Sequence, residues 1–155
     1  MENSKRQSVT PSLTVQNSEA AIAFYQKVFG ARLEGRPMRT PDGRIIHAEL
    51  LFGDMKIFLN DECPEMGAYA PTHFGGTSVG LMLVVPDVDK SYAEALAAGS
   101  TSKMPPENMF WGDRYAYIYD PFGHGWGLAT QKEQLTPEQI EERAKELFSK
   151  QPAHK

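Results

Sequence analysis

Cysteine is nearly absent: Cys63 is the single one in 155 residues, which excludes an internal disulfide. Long apolar runs are missing too. Runs such as Leu81 to Val85 fall far short of the roughly 20 residues a spanning helix needs, so no membrane partner is expected. The opening MENSKRQS carries no apolar segment, no secretory signal is read there, and the chain is expected to be cytoplasmic. Positive charge is in deficit, with 16 Lys and Arg against 20 Asp and Glu and a net charge of −4. That balance lacks the basic footprint of a nucleic-acid binder, and no nucleic-acid partner is expected. What is present suffices for a core: 41% of residues are hydrophobic and 10% aromatic. The length fits one compact domain or two very small ones.

Residues 1–8 are polar and expected to be disordered. Val9 to Val15 alternates strictly, with Val9, Pro11, Leu13 and Val15 on one face and Thr10, Ser12 and Thr14 on the other, which predicts a strand. Asn17 or Ser18 caps a helix whose apolar stripe is Ala21, Phe24, Tyr25, Val28 and Phe29, and Gly30 stops it. Strands follow at 31–40, 44–52 and 55–60, joined by Pro41-Asp42-Gly43 and Gly53-Asp54. A loop rich in Gly, Pro and small residues runs from Asp61 to Thr77.

The same order then returns. Val79 to Val85 reads as a strand, Asp87 as a helix cap, and Gly99 as the stop. Leu13, Val15 and Asn17 precede Leu83, Val85 and Asp87 by seventy residues. A strand at 100–104, a loop PPENMFWGD, a strand at 114–119, the turn Asp120-Pro121-Phe122-Gly123 and a strand to Thr130 complete the repeat. The fold class is therefore α+β: tandem βαβββ modules at about 9–61 and 79–130, a linker at 62–78, and one domain over 9–130. In the tail, 131–155, Thr136-Pro137 with Gln139 opens a helix carrying Ile140, Ala144, Leu147 and Phe148, expected to dock on the body or on a partner subunit.

Two tandem βαβββ units with SEAAIAFYQKVFGA after the first strand and YDPFGHGWGLAT near the end resemble the vicinal oxygen chelate superfamily of glyoxalase I, bleomycin-resistance proteins and extradiol dioxygenases. The phrases PDGRIIHAELLFGD, MPPENMFWGDRY and DPFGHGWGLATQKEQLTPEQI are similar to its PhnB-like branch, and the resemblance covers about residues 8–145. It implies curved sheets forming a ligand cup with helices outside, and a homodimer. It also implies four metal-ligand positions, which fall at Thr10, Phe58, Gly80 and Gly127. None of those residues is an imidazole, carboxylate or thiolate, so no metal is expected at the family's positions and no cofactor is expected there. Metal-dependent glyoxalase I activity is the least favoured expectation.

Strand parity from those positions points Thr10, Ser12, Thr14, Lys56, Phe58, Asn60, Gly80, Met82 and Val84 into the cup. Thr10, Ser12, Phe58, Asn60 and Met82 are candidate ligand contacts; the bland alternative is a cup filled by its own side chains. His47 and Glu49 share a strand face and are the catalytic candidates, either as a general base with its orienting carboxylate or, with His124, as ligands of a displaced divalent metal. A solvated polar pair is their bland reading. Trp111, Arg114, Tyr115, Tyr117 and Tyr119 are candidates for a stacking wall with a cation, against tyrosines that merely cover a sheet. His124 reads mainly as a turn residue, Asp120 as that turn's cap, and Cys63 as unactivated. The expectation is a metal-free protein binding a small aromatic or amphiphilic molecule; the alternative is an enzyme acting on an epoxide or carbonyl compound through His47 and Glu49.

Overall fold

The structure, a computed structural model, describes residues 7–150. Most of the disordered start expected over 1–8, and the end of the tail at 151–155, lie outside the described residues. The chain divides into two compact units, Met1–Thr77 and Ser78–Lys155.

In the first unit, Asn17 accepts a hydrogen bond from the Ala20 N–H at 3.0 Å and so starts α1, Ser18–Phe29. Gly30, at φ 67°, ends it by donating to the Tyr25 carbonyl, a conformation that costs a glycine little. Around the helix run β1 (Ser12–Val15), β2 (Arg32–Arg39), β3 (Ile45–Phe52) and β4 (Met55–Asp61), in the spatial order β1-β4-β3-β2. β1 lies parallel to β4; the other pairs are antiparallel. Ala21, Tyr25 and Val28 of α1 are buried with Leu13, Val15, Ala48, Leu50, Ile57 and Leu59 of the sheet. Each of these Leu, Ile and Val side chains removed from water contributes about 1.5–3 kcal/mol. The Asp61 carboxylate accepts from the Ser18 N–H at 2.6 Å and the Ile45 N–H at 2.7 Å, tying the helix start to the head of β3.

The second unit repeats this plan. β5 (Gly80–Val84), α2 (Val88–Ala97), β6 (Thr101–Asn108), β7 (Asp113–Tyr119) and β8 (Gly125–Gln131) form a sheet ordered β5-β8-β7-β6. Asp87 caps α2 through the Lys90 N–H at 3.1 Å. Val88, Ala95, Ala116, Ile118, Trp126 and Leu128 are its buried apolar centre. The buried Asp120 carboxylate closes the β7–β8 turn: it accepts from the Phe122 and His124 N–H groups, each at 2.9 Å, and from Trp126 Nε1 at 2.8 Å. α3 (Pro137–Ser149) begins with the expected capping box between Thr136 and Gln139 and buries none of its residues.

Two strand boundaries differ from expectation. β1 begins at Ser12 rather than Val9, because Pro11 has no N–H to give to the ladder, and Val9 is 89% exposed. β6 does not stop at Met104. It continues through Pro105 and Pro106 to Asn108, with register shifts against β7 on both sides of Met104. Pro105 and Pro106 fall in the irregular stretch between the Met104–Tyr117 and Glu107–Tyr115 pairs, and an edge strand tolerates prolines at such a bulge. The loop 61–77 also contains two single-turn 3-10 helices, Pro64–Met66 and Pro71–Phe74.

Replacing Asp120 by Ala leaves the Trp126 indole N–H buried without its acceptor and frees two turn amides. A loss of about 3 kcal/mol is expected in chemical unfolding, against about 1 kcal/mol or less for Asp54→Ala in the corresponding turn of the first unit.

Candidate functional site

In the first unit a bulge sets the site. Arg39 pairs with Ile45 and Met38 with His47, so Ile46 has no partner on β2. The extra residue reverses the alternation: Ile45 is buried, and from His47 onward the odd positions of β3 face away from α1 while Ala48 and Leu50 face it. His47 Nε2 lies 3.1 Å from Glu49 Oε1. Lys56 Nζ lies 2.5 Å from Glu49 Oε2 and 2.5 Å from Glu34 Oε2, so an ammonium sits between two carboxylates. The Lys56 hydrogen bond, and after it that of His47, holds the Glu49 carboxyl below the usual carboxylate range. The two glutamates in turn raise Lys56.

Phe58 stands beside this network, its ring meeting the His47 ring edge to face at 4.8 Å. Ser12 pairs with Phe58 across the β1–β4 ladder, and Asn60 donates to the Thr14 hydroxyl at 3.1 Å. His47, Glu49, Phe58, Asn60 and Ser12 are thus brought onto one sheet, joined by Lys56 and Glu34. Thr10 lies two residues before β1. The fold also places Arg44 Nη1 3.9 Å from Cys63 Sγ, a basic neighbour that the sequence around Cys63 does not show. That guanidinium is already paired with Asp42 at 3.1 Å and Glu65 at 2.8 Å, and it lowers the Glu65 carboxyl to about 2.

In the second unit Tyr115, Tyr117 and Tyr119 share one face of β7, with Trp111 in edge contact with Tyr115 at 5.7 Å and Tyr117 with Tyr119 at 5.7 Å. These rings lie over glycines. A Cβ on Gly127 would meet the Tyr115 hydroxyl at 2.7 Å, and one on Gly125 or Gly80 would meet that of Tyr117 at 2.2 or 2.9 Å. Burial, and then the neighbouring Tyr117, raise the Tyr115 phenol above its usual range. Met82 pairs with Gly127 and is 59% exposed.

Arg114 does not join the tyrosines. It alternates to the α2 side, where Nε and Nη2 bind the two Asp89 oxygens at 2.6 and 2.8 Å. The cation over the tyrosines is Lys103, 4.8 Å from the Tyr117 ring centre and 5.8 Å from that of Tyr119. The His124 backbone belongs to the Asp120 turn. A groove of about 520 Å³ between the end of β6 and α3, flanked by Phe110, Arg143 and Leu147, contains none of the candidate catalytic or ligand-binding residues.

At the four positions the resemblance assigns to metal ligands stand a hydroxyl, a phenyl ring set against His47, and two glycines whose side-chain space tyrosines fill. This donor set does not fit Zn, Fe or Mn. Among the described residues no group of three or more His, Cys, Asp or Glu side chains that could hold a metal is found. No described helix is long and apolar enough to cross a membrane.

Comparison with known proteins adds the following. Residues 7–128 match the sequence model of the Glyoxalase/Bleomycin resistance protein/Dioxygenase superfamily. An uncharacterized protein of Mycobacterium bovis is 40% identical over 136 residues, 86% of this chain and 89% of the relative. Among solved structures, TioX from Micromonospora sp. ML1 superimposes with a TM-score of 0.59 at 26% identity, covering 84% of this chain and all (100%) of that one. A PhnB protein of Bacillus cereus gives a TM-score of 0.62 at 17% identity, covering 80% and 99%, and shows a shared fold.

Two outcomes check this geometry. Gly125→Ala should displace Tyr117 and destabilise the chain by about 1–3 kcal/mol, with much of the loss recovered when Tyr117→Ala is added, as a double-mutant cycle would read. Because Glu49 is held ionised, its pairing contributes stability above the carboxyl's unfolded pKa and loses it as pH falls through the lower folded value. The Tm gap between the native chain and Glu49→Gln should therefore narrow from about pH 6 to about pH 3.

Proposed function

The chain belongs to the Glyoxalase/Bleomycin resistance protein/Dioxygenase superfamily, and on that footing we propose that it binds a small aromatic or amphiphilic molecule without a metal at the family's ligand positions. The observation that carries this reading is the placement of Tyr115 and Tyr117 over Gly127, Gly125 and Gly80. Rings laid on a glycine floor offer partly exposed faces to a flat ligand, and an imidazole or carboxylate at Gly80 or Gly127 would have to expel them. Trp111 extends the wall and Lys103 adds one positive charge to it. In the first unit Ser12, Phe58 and Asn60 supply an apolar ring flanked by hydroxyl and amide groups.

The working form in this proposal is a cytoplasmic homodimer. The apolar stripe of α3, with Leu147 and Phe148 43% and 59% exposed, supports a subunit contact.

A second reading has its own support in the 3.1 Å contact between His47 and Glu49. A histidine oriented by an ionised carboxylate can take a proton, and an epoxide or carbonyl compound is the substrate class this suits. Turnover of such a compound, lost in His47→Ala, would favour the enzyme; an unaltered rate in that variant would remove His47 from the chemistry.

The binding reading is tested by thermal shift and tryptophan quenching against a panel of planar aromatic and amphiphilic compounds. At least one should raise Tm by several degrees, and Tyr115→Ala with Tyr117→Ala should weaken it about tenfold or more. No shift and no quenching from any compound at about millimolar concentration would overturn it.

A further inference from the structure

The first unit's ionic network fixes which nitrogen of His47 is a donor. Glu49 Oε2 is taken by Lys56 at 2.5 Å, and the same ammonium sits 2.5 Å from Glu34. A carboxylate held next to an ammonium in this way is ionised and can only accept hydrogen bonds. Its other oxygen, Oε1, lies 3.1 Å from His47 Nε2. Two acceptors cannot share a hydrogen bond, so Nε2 carries the proton. In the neutral ring Nδ1 is then left as a lone pair.

No hydrogen-bond partner for Nδ1 is found among the described residues, and the His47 side chain is 36% exposed. The ring stands edge to face with Phe58 at 4.8 Å, so the imidazole that carries this acceptor has an aromatic neighbour. Met38, paired with His47 across the ladder and 58% exposed, adds a flexible thioether on the other flank.

We propose that this face selects aromatic ligands bearing a hydrogen-bond donor, a ring N–H or a phenol O–H, which His47 Nδ1 accepts. The proposal rests on the binding reading above and deepens it by naming the ligand class. Glu49 is a positioning residue here, setting the tautomer, and Lys56 and Glu34 keep Glu49 ionised. A ligand of the same shape without a donor finds the same apolar contact but leaves the Nδ1 lone pair facing it unmatched.

The first measurement needs no ligand. Nitrogen-15 resonances of the His47 ring at about pH 8, well above the usual imidazole range, should show Nε2 protonated and Nδ1 bare. The opposite tautomer would overturn the proposal, whatever the chain binds. In Glu49→Gln the amide can donate as well as accept, and the two tautomers should then mix.

The second measurement compares indole with benzofuran, planar probes of nearly equal shape of which only indole has an N–H and neither of which titrates near neutral pH. Indole should bind the native chain roughly three- to tenfold more tightly. His47→Phe, which keeps an aromatic ring against Phe58, should erase that preference while still binding both probes. Equal affinities in the native chain, or a preference that persists in His47→Phe, would overturn the donor rule and leave the binding reading standing. Binding of neither probe, with no response from the wider aromatic panel, would overturn both.

Discussion

A β-strand sends successive side chains to opposite faces, and in each unit α1 or α2 takes one face of a four-stranded sheet. Every functional possibility is confined to the other face. The sorting is strict enough that a single extra residue matters. Without the bulge at Ile46, the parity set by Ala48 and Leu50 would leave Ile45 on the open face, and burying Ile45 instead would turn His47 and Glu49 against the helix. The carboxylate of Asp61 supports the arrangement by holding the Ile45 amide, so the head of β3 is anchored where the alternation reverses. In the second unit the same sorting separates Arg114, committed to Asp89, from Tyr115, the very next residue, and from Tyr117 and Tyr119 beyond it.

The two units share topology and differ in the chemistry they leave open. The first unit's face carries an ammonium between two carboxylates, a histidine and one phenyl ring. The second carries three tyrosines, two of them lying across glycines, with a lysine above Tyr117 and Tyr119. Repetition of a βαβββ plan thus constrains the buried half of each sheet, where caps, stops and aliphatic positions recur, and leaves the open half free to diverge.

Much of the fold was legible in the sequence because its signals are local. Asn17, Asp87 and the Thr136–Gln139 box cap helices through groups three residues away, and Gly30 ends α1 within one turn. Pro105 and Pro106 misled, since proline forbids a ladder donor without forbidding an edge strand, and edge position is a tertiary fact. The site was less legible for the same reason. That Lys56 bridges Glu34 and Glu49, that Lys103 rather than Arg114 meets the tyrosines, and that Arg44 reaches Cys63 all depend on cross-strand register or loop packing. One signal was available and unused: positions 114 and 115 differ in parity, so an arginine and tyrosines there belong on opposite faces.

The turn at Gly112 joins parts of the second unit that the chain order separates. Its carbonyl accepts from both Lys132 and Glu133, at 3.0 and 2.9 Å. Its α-carbon packs so closely on the Glu133 carbonyl that a Cβ would stand 2.7 Å from the oxygen. Glu133 in turn binds Arg143, on the second turn of α3, at 2.6 Å. The residue after Trp111 is thus stitched to the lead-in of α3 by two backbone hydrogen bonds, and the ion pair to Arg143 carries that seam onto the helix. The rim of the aromatic wall and the root of the C-terminal helix share one piece of backbone scaffolding.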